Sequence, residues 1–338
     1  VRLLMGAVAG MAGIRATFTG DASLSRRPMR RVTEPLGRMG AQVEGGERLP
    51  LTIAGARLGG IDFANVPASA QVKSAILLAG LGTDAPVSIT EPVPSRDHSE
   101  IMLREFGVEV TTDEMSEGRR ISLGAQRRLR GCKLKMGADP SSAAFPLVAA
   151  AIVPGSDVTV RGVIANPLRT GFYEVLERMG ADIGLAEEQV RCGEIIADIR
   201  VRHSKLRPCH VRAVEIPAMI DEIPALAVAC AFADGESVIE GLGELRVKES
   251  DRLGAIVAGL TACGVAALAD GDALRIFGRE RVPGGAAVLT QRDHRIGMAF
   301  LTLGLASEHP VEVDEAEMIG TSFPGFAEAM QSLGAAIE

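Results

Sequence analysis

LERMGADI, residues Leu176–Ile183, decides the fold, because the chain says it five times. The phrase returns as LGRMGAQV (Leu36–Val43), LREFGVEV (Leu103–Val110), LTACGVAA (Leu260–Ala267) and QSLGAAI (Gln331–Ile337). Each copy reads as the last turn of an amphipathic helix, a glycine, and the start of a strand. Glycine just past a helix takes the left-handed cap conformation that a β-carbon resists. The spacing of Gly40, Gly107, Gly180, Gly264 and Gly334 averages roughly 70 residues, too long for an ordinary solenoid. It predicts whole supersecondary units, copied and assembled.

A second family of segments runs out of step with the first: Val1–Met11, Ser69–Leu81, Ser141–Val153, Asp221–Ala233 and His294–Ala306. Each is polar at its start and apolar nearly all round afterwards, the pattern of a helix buried on every side. β-Branched runs follow (APVSIT, SDVTV, ESVIE, PVEVD) and read as strands. The unit is therefore buried helix, strand, polar turn, amphipathic helix, glycine, strands. Thr111–Arg120 and Ala186–Gly193 are polar and read as loops or hairpin tips. Three buried helices lie after residue 140 and two before it, so the expected division is an incomplete first domain, 1–138, and a second domain, 139–338. The apolar surface that a missing unit leaves on the first half predicts instability there.

The 338 residues suit two domains, and without Trp and with a single Tyr the cores must be built from Ala, Leu, Val, Ile and Met. A net charge of −7 argues against a nucleic-acid partner, because no basic excess exists to release counterions. The five cysteines are scattered and show no metal-type spacing, which fits a reducing cytoplasm. No apolar stretch reaches the roughly 18 residues of a membrane span.

The chemistry gathers at the polar turns and helix starts: SLSRRPM (Ser23–Met29), PSRDHSE (Pro94–Glu100), LRVKESDR (Leu245–Arg252), MIDE (Met219–Glu222) and RDHR (Arg292–Arg295). Helix N-termini favour anions. Equivalent units would aim theirs alike and focus Arg27, Arg96, Lys248, Arg252 and Arg295 on a strongly anionic ligand. Asp221 and Glu249 beside these cations are acid–base candidates. Plainer readings exist: Asp221 and Ser141 as N-caps, Glu249 and Asp251 as first-turn carboxylates.

GDASLSRRPM, ASAQVKSAILLAGL, SRDHSEIML, ADPSSAAFPLVAA, MIDEIPALAVA, ELRVKESDRL, DHRIGMAFL and TSFPGF, in this order, closely resemble the 3-phosphoshikimate 1-carboxyvinyltransferase (EPSP synthase) family, its class II branch above all. The resemblance implies a two-domain, inside-out α/β barrel of βαβαββ units, with one N-terminal unit missing here. It implies transfer of the carboxyvinyl group of phosphoenolpyruvate to the 5-hydroxyl of shikimate 3-phosphate, with release of phosphate. That is a step of the shikimate pathway toward chorismate and the aromatic amino acids, carried out in the cytoplasm by a monomer without metal or organic cofactor. Arg27, Arg252 and Arg295 should hold phosphoenolpyruvate, and Gln71 should touch both substrates. Ser69, Ala70, Gln71, Arg96 and Lys248 should hold shikimate 3-phosphate. Asp221 should take the 5-hydroxyl proton, and Glu249 should move protons at the vinyl carbon.

The family's P-G-D-K-S and N-A-G-T motifs do not occur between Val1 and Glu338, and Thr321 stands where some relatives have a substrate-binding Lys. The expectation is a chain with much of the binding surface and severely impaired catalysis. The sister transferase acting on UDP-N-acetylglucosamine usually carries a Cys in the segment equivalent to Gly20–Pro28, which has none here. An RNA 3′-phosphate cyclase on similar units would need a basic groove and stacking aromatics, which the composition withholds.

Overall fold

The computed structural model describes all 338 residues, which divide into two compact units, Val1–Lys135 and Met136–Glu338. The division falls three residues before the expected start of the second domain at Asp139.

The first unit opens with helix α1 (Arg2–Ala9), strand β1 (Arg15–Phe18), the short helix α2 (Ala22–Arg26), α3 (Arg30–Met39), β2 (Gln42–Gly45) and β3 (Leu51–Ala54). It continues with β4 (Ile61–Ala64), α4 (Ala70–Gly80), β5 (Val87–Glu91), α5 (His98–Glu105), β6 (Val110–Glu114) and β7 (Arg119–Leu123). This last stretch is one full βαβαββ unit. Its sheet runs β4-β5-β7-β6, with β4 parallel to β5 across the helix and the other pairs antiparallel. The first stretch makes a three-stranded antiparallel sheet, β1-β3-β2. In β7, Arg119, Ile121 and Leu123 are the core-facing residues, as strict alternation demands.

The second unit runs α6 (Pro140–Ile152), β8 (Asp157–Ile164), α7 (Gly171–Arg178), β9 (Asp182–Arg191) and β10 (Glu194–Arg202), then β11 (His210–Val211), α8 (Ile223–Ala231), β12 (Gly235–Ile239), α9 (Arg252–Ala262), β13 (Ala266–Asp270) and β14 (Ala273–Gly278). It ends with β15 (Ala287–Val288), α10 (His294–Gly304), β16 (Glu312–Val313) and α11 (Phe326–Ser332). The order β11-β12-β14-β13, again with a parallel first pair, repeats the sheet of the first unit. Helices α6, α8 and α10 pack against one another at the centre of a continuous apolar core.

All five repeated glycines have positive φ, from +81° at Gly264 to +106° at Gly40. After each, the next residue donates its N–H to the carbonyl five positions back: Ala41 to Leu36, Val108 to Leu103, Ala181 to Leu176, Val265 to Leu260 and Ala335 to Met330. That bond closes the helix end and satisfies a carbonyl the helix leaves open.

Several expectations are corrected. α1 is not buried all round: α3, α4 and β3 cover one side, while Leu3 and Leu4 face solvent. Thr111–Arg120 and Ala186–Gly193 are largely strand, the arms and tips of the β6–β7 and β9–β10 hairpins, because ladder pairing overrides their polarity. No strand follows Gly334, and PVEVD contributes only Glu312–Val313.

Candidate active site

Each unit carries its own cluster of cationic and hydrogen-bond-donating groups near helix starts. In the first unit, α4 begins at Ser69, whose side chain makes no capping bond, so the first-turn N–H groups of α4 are left without a capping side chain. Gln71 in that turn accepts a hydrogen bond from Arg2 Nη1 at 2.6 Å, and Arg2 Nη2 donates to the Pro28 carbonyl at 3.2 Å. Arg2 thus ties the start of α1 to the start of α4 and to the peptide joining Pro28 to Met29, one residue beyond Arg27. Arg27 lies in extended backbone after α2, which Asp21 caps through the Leu24 N–H. Arg96 lies in the turn before α5. The turn is joined to α4 by Lys73, whose Nζ donates to the Ser95 carbonyl at 3.3 Å, and the first turn of α5 by the Ser74–Ser99 hydroxyl pair at 2.6 Å. Ser69, Ala70, Gln71 and Arg96 therefore sit on two neighbouring helix starts.

In the second unit the expected residues form one network. Asp221 Oδ1 lies 3.4 Å from both Lys248 Nζ and Arg252 Nη1, and Arg295 Nη1 donates to the Asp221 carbonyl at 3.0 Å. Glu249 Oε2 accepts from Arg252 Nη2 at 2.6 Å. Beneath them, Arg252 Nε donates to Asp293 Oδ2 at 2.7 Å, and Ser250 Oγ donates to the same oxygen at 3.1 Å. Lys248, Arg252 and Arg295 are thus matched by Asp221, Glu249 and Asp293. The side chains of Asp221, Lys248 and Glu249 keep 15%, 20% and 28% of their surface exposed, whereas Arg252 keeps 1%. The first three are partly open to solvent, and Arg252 is held from below by Asp293.

The electrostatics follow from that layering. Burial alone would raise the pKa of Asp293, but the charge and hydrogen bonds of Arg252 and the Arg295 N–H outweigh it and hold the carboxyl below its usual range. Burial opposes the charge on Arg252, and Asp293, Glu249 and Asp221 more than restore it. Burial, then the neighbouring Arg295, lowers the pKa of His294 and favours the neutral imidazole.

Asp221 is not an N-cap: α8 begins two residues later, after Glu222, which leaves the Asp221 carboxylate facing Lys248 and Arg252. Ser141 is not one either. Asp139 caps α6 by accepting from the Ser141 and Ser142 N–H groups, and the Ser141 hydroxyl donates to Glu222. Glu249 precedes α9, whose cap is Asp251 through the Gly254 N–H. Two participants escaped the sequence reading: Arg2, the polar start of the first buried helix, and Asp293, which caps α10 through the Arg295 N–H. Both stand at the polar starts that the repeat marks out. No group of three or more His, Cys, Asp or Glu side chains is placed to hold a metal ion, and no helix is long and apolar enough to cross a membrane.

Repeated βαβαββ units with cations and carboxylates at their helix starts define a class of group-transferring enzymes that handle anionic substrates. The chain matches the family described as EPSP synthase (3-phosphoshikimate 1-carboxyvinyltransferase) over residues 1–330. It is 52% identical to the 3-phosphoshikimate 1-carboxyvinyltransferase of Phenylobacterium zucineum over 99% of its own length and 75% of the relative's. It is 51% identical to that of Caulobacter vibrioides over 100% and 77%. Among solved structures it resembles EPSP synthase from Acinetobacter baumannii with a TM-score of 0.86 and 42% identity, covering 100% of this chain and 77% of that one. The enolpyruvyl transferase NikO from Streptomyces tendae shares the fold, with a TM-score of 0.78 at 19% identity over 99% and 76% of the two chains. The chain belongs to the EPSP synthase family.

Proposed function

We propose that the chain transfers the carboxyvinyl group of phosphoenolpyruvate to the 5-hydroxyl of shikimate 3-phosphate, with Asp221, Lys248, Glu249, Arg252 and Arg295 as the reacting end of the site. The observation that carries this is the second-unit network, in which one partly exposed carboxylate lies 3.4 Å from a lysine and an arginine. The 5-hydroxyl oxygen attacks C2 of phosphoenolpyruvate while C3 takes up a proton. Phosphate then leaves as C3 gives a proton back, which regenerates the vinyl group on the new ether. Asp221 accepts the hydroxyl proton, and Glu249 carries protons to and from C3.

For phosphoenolpyruvate the first unit offers Arg27 and the second Arg252 and Arg295, guanidinium forks that suit its phosphate and carboxylate better than point charges. For shikimate 3-phosphate the first unit offers Ser69, Ala70, Gln71 and Arg96 and the second Lys248, and Gln71 also serves phosphoenolpyruvate. Fixed donors and cations stabilise charge that develops on the bridging oxygen and the departing phosphate. The partners in this reading are these two small molecules, and the enzyme works as a cytoplasmic monomer.

Phosphate release with both substrates tests the assignment, each variant being read against the parent chain's own rate, which on the expectation above is itself severely reduced. Asp221→Asn and Glu249→Gln should each cost roughly 10²- to 10⁴-fold in turnover while shikimate 3-phosphate binding changes little. An Asp221→Asn protein turning over at the parent rate overturns the role of Asp221.

A further inference from the structure

Behind the first-unit cluster lies a buried set of charges. Glu91, the last residue of β5, and Lys73, in the first turns of α4, are both 0% exposed; Glu100 of α5 is 1% exposed and Arg119 of β7 is 6%. Two cations thus face two carboxylates in the interior of the unit. Lys73 Nζ lies 3.1 Å from Glu91 and 2.8 Å from Glu100, and Arg119 Nη2 lies 3.2 Å from Glu91, its directly opposed partner in the β5–β7 ladder. Such a set is expensive to desolvate, and well-packed apolar residues often serve stability as well or better. Its geometry suggests another use.

Glu91 accepts the Ser95 N–H at 3.0 Å and the Ser95 hydroxyl at 2.5 Å. The Ser95 carbonyl accepts from Lys73 Nζ at 3.3 Å and from Arg119 Nη2. That carbonyl belongs to the peptide that joins Ser95 to Arg96, so both sides of the residue preceding Arg96 are clamped. On its other side, Glu91 Oε1 accepts from Asn65 Nδ2 at 2.8 Å, and Asn65 Nδ2 also donates to the Ser69 carbonyl at 3.0 Å. That second carbonyl belongs to the peptide joining Ser69 to Ala70. One buried carboxylate therefore registers two ligand-facing segments, the start of α4 and the turn before α5.

We infer that Glu91 is the positioning residue for the shikimate 3-phosphate half of the site, fixing Arg96 and Ser69 through Ser95 and Asn65 with Lys73 and Arg119 as counter-charges. The inference rests on the reading that Arg96 and Ser69 hold that substrate. A small displacement of fixed binding groups is costly, so losing the hub should weaken binding without touching the ligand.

The test measures calorimetric binding of shikimate 3-phosphate to the full chain and to Arg96→Ala, Glu91→Gln, Asn65→Ala and the Glu91→Gln/Arg96→Ala double variant, with urea midpoints alongside. Absence of binding by the parent chain, or unchanged binding by Arg96→Ala, sinks the functional reading rather than the positioning role alone. If Arg96→Ala weakens binding, Glu91→Gln should weaken it by roughly 10- to 100-fold, and the double variant should lose much less than the product of the two single losses. Such non-additivity marks a shared route that general loosening would not produce. A folded Glu91→Gln protein with parent affinity, or a double variant in which the losses simply multiply, overturns the inference. Should Glu91→Gln not fold, Asn65→Ala decides: weaker binding supports the hub, and parent affinity rejects it.

Discussion

Arg252 and Asp293 form a closed pair in the interior of the second unit, with Nε to Oδ2 at 2.7 Å and Nη2 to Oδ1 at 3.3 Å, at 1% and 0% side-chain exposure. The pair leaves Arg252 Nη1 directed at Asp221. Asp293 also caps α10, so one carboxylate both starts a helix and aims a guanidinium. Asp293→Asn leaves a buried guanidinium short of its counter-charge and should cost about 3–5 kcal/mol of stability, read as a lowered urea midpoint for the second unit.

Acid should weaken both units for a stated reason. Asp293 and Glu91 both have pKa values held below normal: burial pushes each up, but Arg252 and its hydrogen bonds, and Lys73 with Ser95, push harder the other way. A depressed folded-state value gives stability that is present above the unfolded carboxylate pKa and lost as pH falls through the folded one. Glu100 works in reverse: burial, only partly offset by Lys73, raises its pKa, so its contribution is lost as pH rises. Urea midpoints should fall steeply below about pH 4, and Asp293→Asn should flatten that fall. A variant with the parent slope would remove Asp293 from the explanation.

Two glycines of the first unit should respond oppositely to alanine. A β-carbon on Gly6 would lie 2.1 Å from the Ala75 carbonyl oxygen, where α1 meets α4, whereas one on Gly37 in α3 meets nothing within 4 Å. Gly6→Ala should cost about 3 kcal/mol, and Gly37→Ala should gain about 0.5–1 kcal/mol. Denaturant titrations of both proteins check the pair together.

The thiols should separate by burial. Cys132 is exposed, whereas Cys230 and Cys263 are buried. Burial pushes the Cys263 thiol up to about 11. The hydrogen-bonded Cys209 sulfur at 3.8 Å, and then burial, raise that of Cys230. A thiolate is the reactive form. At pH 8 a disulfide reagent should label Cys132 rapidly and reach Cys230 and Cys263 only on unfolding, as peptide mapping would show. Labelling of Cys263 in the native protein at the rate of Cys132 contradicts this.

The repeat made much of this molecule legible before any coordinate. Gly40, Gly107, Gly180, Gly264 and Gly334 take the left-handed geometry that their position after a helix requires. The five apolar segments are helices. Asp221, Lys248, Glu249, Arg252 and Arg295 stand in polar turns and helix starts of the sequence and meet in one network. Local signals served here because helix ends and helix starts are written within a few residues.

What no local pattern could reveal is which distant groups share a carboxylate. Glu91 ends an ordinary strand and Lys73 sits inside an apolar helix, yet they meet because β5 and α4 pack across the unit. Solvent exposure on the outer side of α1 likewise depends on what packs there, not on its composition. The sequence by itself determined the units, their caps and the residue types at each helix start, because those are short-range matters of backbone geometry and dipoles. Only the tertiary structure decided the partnerships of Arg252 with Asp293, of Arg2 with Gln71 and of Glu91 with Ser95 and Asn65, because they depend on packing between separate elements.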